Sequence, residues 1–310
     1  MKSGIILVDK PAGSTSFDCI RDLKRAWKRS DLGHCGTLDR FATGLLPILV
    51  GDGLKLVRFF LESYPNLPTY WKTYQGVLLL GRQTATGDPE GEVLHDLPVP
   101  ESIDRSKIEE AMKTFENAPY AQTPPAYSAK KIEGSRASDL AREGKLNPES
   151  LKAVDVTIEL FRLIDLTREG DKVRVRFEAR CSKGTYVRRL AEDLGQKLGT
   201  HGTLLELCRT HVGSFKLSDA KPLSELCTTA ADDAILDMGV ATSFLPRMIA
   251  LDADVEAMKK GQFAGLHARL ANADFPPNVY CAATVAGDRP VALLELRSDQ
   301  RIDFLRAFQI

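Results

Sequence analysis

This chain of 310 residues has no excess of either charge: 42 Lys and Arg stand against 42 Asp and Glu. A broadly electropositive surface, the usual mark of a polyanion-binding protein, is therefore excluded, and any nucleic-acid footprint must come from local clustering of charge. No C-x-x-C pair occurs among the cysteines Cys19, Cys35, Cys181, Cys208, Cys227 and Cys281. That dispersal speaks against a zinc site or a disulfide framework and fits a reducing cytosol. No apolar stretch approaches the ~20 residues needed to span a bilayer. The first apolar run, Ile5 to Val8, stops at Asp9-Lys10 and does not form a secretory signal. A cytoplasmic location away from membranes is the expectation. There is also no G-x-x-x-x-G-K-[ST] phosphate loop, no internal repeat and no low-complexity tract.

What is present is ordinary for a globular protein: 43% apolar and 27% charged residues. The length suits one large unit with a smaller appendage. Residues 4–8 read as a strand closed by the turn Asp9-Lys10-Pro11-Ala12-Gly13. Thr15 or Ser16 then caps a helix expected over 17–30, with Ile20, Leu23 and Trp27 at helical spacing. Its other face gathers Arg21, Lys24, Arg25, Lys28 and Arg29 into one stripe. In an isolated helix such a stripe is a solvated face; beside a segment that handles RNA it becomes phosphate-facing.

Further on, 74–80 reads as a strand, 103–115 as a helix and 130–144 as a polar excursion with a short helix at 137–143. Strands are expected at 154–166 and 172–181 around the turn Arg168-Glu169-Gly170-Asp171. In the second, Val173, Val175, Phe177 and Ala179 alternate with Arg174, Arg176, Glu178 and Arg180. A helix over 186–198 follows. The mixture lacks a βαβ rhythm and predicts an α+β fold. From about residue 248 the pattern changes to a small helix at 253–260 and strands at 280–285, 291–296 and 302–308, with turns at Asn278 and Gly287-Asp288.

One segment stands apart, GHCGTLDRFATGLLP at residues 33–47. Three glycines let the backbone approach a ligand closely, and they surround a lone histidine, His34, and a lone carboxylate, Asp39. On spacing alone Asp39 reads as the N-cap of a helix from Arg40.

The same segment resembles the catalytic signature of the TruB family, the bacterial tRNA pseudouridine-55 synthases. Further blocks match in order: Asp9-Lys10-Pro11, Gly13, Thr15-Ser16; Lys72 and Tyr74; Gly81, Thr84, Thr86, Asp88; Pro124-Pro125, Tyr127-Ser128-Ala129, Lys131; Ser182-Lys183-Gly184-Thr185-Tyr186-Val187-Arg188; and Arg209-Thr210, Val212-Gly213. The resemblance covers roughly residues 4–215, and its strength lies in the ordered co-occurrence. It implies a pseudouridine synthase fold with a mixed, largely antiparallel central sheet in residues 1–248, an RNA-clasping insertion at about 119–153, and a small β-rich, PUA-like domain in 249–310.

It also implies roles. Asp39 takes the place of the catalytic aspartate, Arg188 that of its arginine partner, and Tyr74 that of the tyrosine stacking on the flipped uracil. His34 falls where the family places a histidine that enters the RNA. Lys10, Pro11 and Tyr186 take supporting positions around the pocket, with Lys10, Tyr186 and Lys131 expected at the RNA, and Arg21, Lys24, Arg25 and Lys28 become backbone contacts. The expected reaction isomerises uridine 55 of the tRNA T-loop and needs no metal and no cofactor. Asp39 serves it either as a nucleophile at the sugar or as a base for the 2′ proton. Extruding a stacked uridine costs a few kcal/mol, which stacking and edge hydrogen bonds offset.

Three departures are visible: Arg40-Phe41 for the commoner Pro-Leu, Ser138 for a common tyrosine, and Gly53-Leu54 for Ala-Thr before Lys55. None removes a catalytic group. The alternatives are the catalytic subunit of a guide-RNA-dependent complex and a tRNA-folding chaperone without chemistry. The former usually carries extended basic termini, whereas this chain reaches its first strand within four residues. The intact Asp39, Tyr74 and Arg188 set opposes the latter. A monomer acting on tRNA with no obligate protein partner is expected.

Overall fold

The alternation at 172–181 is realised as burial. Val173, Val175, Phe177 and Ala179 are all buried, while Arg176 and Arg180 are exposed. The computed structural model describes residues 1–62, 71–128, 130–132, 134–260, 262, 277–283, 289–297 and 302–308. Its main sheet contains β1 (Gly4–Lys10), β2 (Leu32–His34), β3 (Thr43–Val50), β4 (Lys72–Leu80), β5 (Ile158–Glu169), β6 (Lys172–Cys181), β7 (Gly202–Val212) and β8 (Lys221–Pro222). The order is β5-β6-β4-β7-β3-β1-β8. With β2 on β3 and Phe215–Lys216 on β7, it is nine-stranded among the described residues. The β1–β8 and β3–β7 pairs are parallel and the others antiparallel, so the sheet is mixed and largely antiparallel as expected.

Three helices, α1 (Ser16–Trp27), α2 (Arg105–Lys113) and α3 (Val187–Lys197), cover one face. Their Ile20, Leu23, Ile108, Met112, Leu190 and Leu194 join Val8, Leu46, Leu78, Val175 and Phe177 in one core. Fully burying each such side chain contributes roughly 1.5–3 kcal/mol. Under the opposite face of β1 and β3, Ile5, Leu7, Leu45 and Leu49 pack with Phe59, Phe60, Val279, Cys281 and Leu293. The last three belong to a second sheet of β9 (Arg247–Ile249), β10 (Asn278–Ala283), β11 (Pro290–Leu296) and β12 (Ile302–Ala307), in that order. Helix α4 (Asp252–Lys259) sits between β9 and β10 in the chain. The C-terminal part is thus β-rich, as expected. Asn278 opens β10 and is not a turn, and the turn expected at Gly287-Asp288 lies outside the described residues.

Other expectations are corrected. Helix α1 stops at Trp27, not at residue 30, because Lys28 takes a left-handed conformation with φ of 51°. That ending points Arg29 inward, where it pairs with Asp31 and donates to the carbonyl of Lys2. The strand expected at 154–166 is broken. Val154–Val156 leaves the main sheet to pair with Tyr120–Gln122, and β5 begins at Ile158. From Arg40 there is no helix: the chain runs through bends into β3, so Asp39 caps nothing.

The join between β3 and β7 places the site. These strands pair at only Thr43↔Cys208 and Gly44↔Arg209, and the loop before Thr43 fills the seam where they diverge. Gly44 has φ of +99°, and a Cβ there would stand 2.5 Å from the Arg209 carbonyl oxygen. Gly44→Ala is therefore expected to lower the unfolding free energy by about 2–4 kcal/mol, combining backbone strain with a contact that cannot relax cheaply. Urea denaturation measures this, and a loss below about 0.5 kcal/mol would contradict the close approach.

Candidate active site

The loop at 35–42 is pinned from both sides. From α1, the Ser16 hydroxyl accepts from the Leu38 N–H at 2.9 Å. The N–H of Gly13 donates to the Arg40 carbonyl at 2.9 Å, and Arg40 Nε returns a bond to the Gly13 carbonyl at 2.9 Å. From β7, the fully buried Arg209 donates through Nε to the Leu45 carbonyl at 2.8 Å, through Nη2 to the Gly36 carbonyl at 3.2 Å and through Nη1 to the Thr37 carbonyl at 3.4 Å. Gly36, with φ of +121°, makes the bend that delivers both carbonyls. The outcome is a rigid frame for Asp39.

Lys10 completes that frame. It is fully buried, and its ammonium donates to the carbonyls of Pro11 at 2.9 Å, Ser14 at 2.6 Å and Arg40 at 3.3 Å. Burial lowers its pKa, against an opposing pull from Asp39. The expected RNA contact is corrected: this ammonium is spent on backbone carbonyls, and Lys10 is a brace behind the loop.

Asp39 and Arg188, 149 positions apart in sequence, meet in a two-pronged ion pair, with Nε to Oδ2 at 2.8 Å and Nη2 to Oδ1 at 3.1 Å. The arginine is 3% exposed and the carboxylate 36%, so one partner is held by protein while the other faces open space. Arg188 is thus a buried residue of α3 turned toward the loop. Its remaining donors reach the Thr86 carbonyl at 2.7 Å and the Tyr127 carbonyl at 3.0 Å, and Asp88 lies 3.5 Å from Nη1. A guanidinium fixed at this many points orients a carboxylate in a way a lysine could not.

Asp39 opens on a cavity of about 240 Å³ lined by Gly36, Thr37, Lys72, Tyr74, Tyr186 and Leu207 among others. That is below the roughly 300–1,000 Å³ of sites for drug-sized ligands and suits a single base. Tyr74, on β4 beside Arg209 of β7, is buried, which pushes its phenol up to about 12 although Arg209 opposes the shift. Tyr186, just before α3, is anchored by the buried Gln122: its N–H donates to Gln122 Oε1 at 2.7 Å, and Gln122 Nε2 donates to its carbonyl at 3.1 Å. Burial raises its phenol as well. Both rings stay neutral hydroxyls with apolar faces, suited to stacking.

His34 lies at the end of β2, outside the lining but close enough to Lys72 and Arg209 to feel both. Burial first, then those cations, lower its pKa, and among the described residues its buried Nδ1 has no hydrogen-bond partner. Lys131 begins the two-residue strand Lys131–Ile132, paired with Ser135–Arg136 in the insertion. On α1, Arg25 and Lys28 are exposed and Lys24 half-buried, while Arg21 is engaged by Asp18 at 2.7 Å. The basic face is therefore narrower than the sequence implied. The arginine row on β6 is likewise partly neutralised, Arg174 by Glu169 and Glu206 and Arg180 by Glu159.

Several residues acquire a place that sequence reasoning gave no role. Arg209, Asp88 and Lys72 stood inside the matching blocks, and their signal was a charged residue within an otherwise apolar or turn-forming motif. Gln122 carried none. No helix among the described residues is long and apolar enough to cross a membrane.

Comparison with known proteins bears on this geometry. The model of the TruB family pseudouridylate synthase N-terminal domain matches residues 24–187. A tRNA pseudouridine synthase B from Corynebacterium efficiens is 36% identical over 293 residues, covering 94% of this chain and 92% of the relative. Its counterpart from Rhodopseudomonas palustris is 37% identical over 314 residues, covering 96% and 79%. Among solved structures, a chain of a crystallised Cbf5–Nop10–Gar1 complex superposes with a TM-score of 0.67 over 99% of this chain and 85% of that one. At 22% identity it shares the fold alone.

Proposed function

This chain belongs to the TruB family of pseudouridylate synthases, and from that premise we propose that it isomerises uridine 55 in the T-loop of tRNA, with Asp39 as the catalytic carboxylate. It is a pseudouridine synthase, an isomerase, and its relatives' names support tRNA as the substrate. The observation that carries the finer reading is the Asp39–Arg188 pair at the mouth of a base-sized, tyrosine-lined cavity.

The reaction breaks the N1–C1′ bond, turns the uracil and joins C5 to C1′. It is redox-neutral and consumes no water. An everted uridine enters the cavity with its base against Tyr74 and its sugar at Asp39. The cost of extrusion, a few kcal/mol, is met by stacking and edge hydrogen bonds. Arg188 holds both carboxylate oxygens, so that Asp39 meets the sugar in one orientation without reorganising. Either the carboxylate adds to C1′ or it takes the 2′ proton, and both routes place it against the ribose. His34, Lys24, Arg25 and Lys28 supply further RNA contacts in this reading, with Lys131 on the insertion side.

The test is direct. The purified chain, given an unmodified tRNA transcript and nothing else, is expected to form a single pseudouridine at position 55, located by chemical mapping. A requirement for a guide RNA or an accessory protein would contradict the reading, as would tRNA refolding without isomerisation.

A further inference from the structure

We propose that Lys72 is a further catalytic group of this site, its ammonium facing the everted pyrimidine and supplying the counter-charge to the uracil anion released on glycosidic cleavage. The inference rests on the reading of the cavity given above. Lys72 precedes Tyr74 by two residues on β4, so period-two geometry puts both on one face, and both line the cavity with Gly36, Thr185 and Leu207. Glycine at position 36 makes room for it: a Cβ there would stand 3.1 Å from Lys72 Nζ.

What distinguishes Lys72 is that it has no ion-pair partner among the described residues. Arg188 is spent on Asp39, Asp88 and two carbonyls, Arg209 on three carbonyls, and Lys10 on three more. Among the described residues, the charged and titratable groups around Lys72 include the cations Arg209 on β7 and Lys183 before α3, the thiols Cys181 on β6 and Cys35 in the pinned loop, His34 on β2, and Asp39, Tyr74 and Tyr186 on the same cavity wall. Among the described residues Lys72 makes no ion pair with a carboxylate, and Asp39, which lines the same cavity, is held by Arg188. Burial, then Arg209, bring its pKa down to about 8. A half-buried ammonium on a cavity wall, without an ion-pair partner among the described residues, is costly to keep. It is well placed where an anion forms only during the reaction, because such a charge favours the transition state over the ground state.

The cleavage step supplies that anion. When N1–C1′ breaks, the bonding pair goes to the base, which becomes a uracil monoanion. C1′ is compensated by the Asp39 oxygen or by loss of the 2′ proton to it. Recombination spends a ring electron pair on the C5–C1′ bond as the Asp39–C1′ bond breaks and its pair returns to the carboxylate, or as Asp39 gives the 2′ proton back to C2′; the C5 proton then leaves to solvent and N1 takes one up, so electrons and protons balance. Lys72 stays protonated throughout, and Asp39 works at the sugar while Lys72 works at the base.

Single-turnover rates and tRNA affinities of the wild type, Lys72→Met and Lys72→Arg, measured from pH 6 to 10, test this. Lys72→Met is expected to lose about 10²–10³-fold in rate, the usual cost of removing one charge-stabilising donor, with its Kd for tRNA within about threefold of wild type. The wild-type rate is expected to fall at alkaline pH as the ammonium is lost. Lys72→Arg, which stays protonated, should recover at least tenfold over Lys72→Met and abolish that fall. Rescue by arginine also separates a charge effect from a folding defect. The inference is overturned if Lys72→Met keeps its rate within about threefold. It is equally overturned if Kd rises by the factor lost in rate, which would mark a ground-state phosphate contact, or if the alkaline fall persists in Lys72→Arg. A wild type inactive on tRNA would instead sink the functional reading, so the two failures are distinguishable.

Discussion

Asp39→Asn is expected to lower the single-turnover rate of pseudouridine formation by about 10⁴-fold or more, the scale seen when an essential nucleophile or base is removed. Asparagine keeps the shape and one carbonyl oxygen, so one of the two bonds from Arg188, now 2.8 and 3.1 Å long, survives. The other becomes an amide facing a guanidinium, at a cost of about 1–3 kcal/mol in stability. The pinned loop owes its shape to Ser16, Gly13 and Arg209, not to the carboxylate, so the cavity persists. Affinity for tRNA is therefore expected to stay within about threefold. Mass spectrometry of the product with filter binding on the same samples reads both quantities, and a variant retaining a tenth of the wild-type rate would exclude Asp39 from the chemistry.

Arg188→Lys has the second largest expected effect, and it falls on two quantities at once. The guanidinium serves four partners, the carboxylates of Asp39 and Asp88 and the carbonyls of Thr86 and Tyr127, at a position 3% exposed. An ammonium keeps the charge but cannot span that set. Breaking a buried charged network typically costs 3–5 kcal/mol; with charge retained, about 2–4 kcal/mol in unfolding free energy is expected for the lysine variant. Catalysis should drop about 10²–10³-fold, because Asp39 is no longer fixed by two prongs. The loss is expected in kcat with little change in KM, since Arg188 touches no substrate in this account. A loss confined to KM would mean that Arg188 meets RNA directly.

The sequence disclosed most where one physical rule acted alone. Strict alternation marked β6, a capping residue and apolar spacing marked α1, and the turn at Arg168-Glu169-Gly170-Asp171 marked the β5–β6 hairpin. Strand β7 went unseen for the opposite reason. It lies in the middle of the sheet, with bulges between Leu204 and Glu206 and between Arg209 and His211, so its period of two is broken twice. A fully buried Arg209 inside it further disguised a core strand, since such burial is rare without partners and the partners are carbonyls, invisible in sequence.

The site divides in the same way. Asp39, Tyr74 and Arg188 were named from matching blocks, but their meeting across 149 positions depends on the sheet. Spacing by itself had made Asp39 a helix cap, and tertiary structure overrode that. Lys10 shows the reverse. Its place in a motif suggested a ligand contact, and only the three carbonyls around it reveal a brace. The basic stripe of α1 was narrowed by a single left-handed residue, Lys28, which sent Arg29 inward to Asp31.

One distance reports on the whole account: that from the Asp39 carboxylate to the anomeric carbon of the nucleotide at position 55, in a crystal of the chain bound to a T-stem–loop carrying an unreactive uridine analogue. The account predicts an extruded nucleotide with its ring against Tyr74 and an oxygen of Asp39 about 3–3.5 Å from C1′ or the 2′ position, near-attack geometry. A nucleotide still stacked in its loop, or seated where Asp39 cannot reach the ribose, would contradict it.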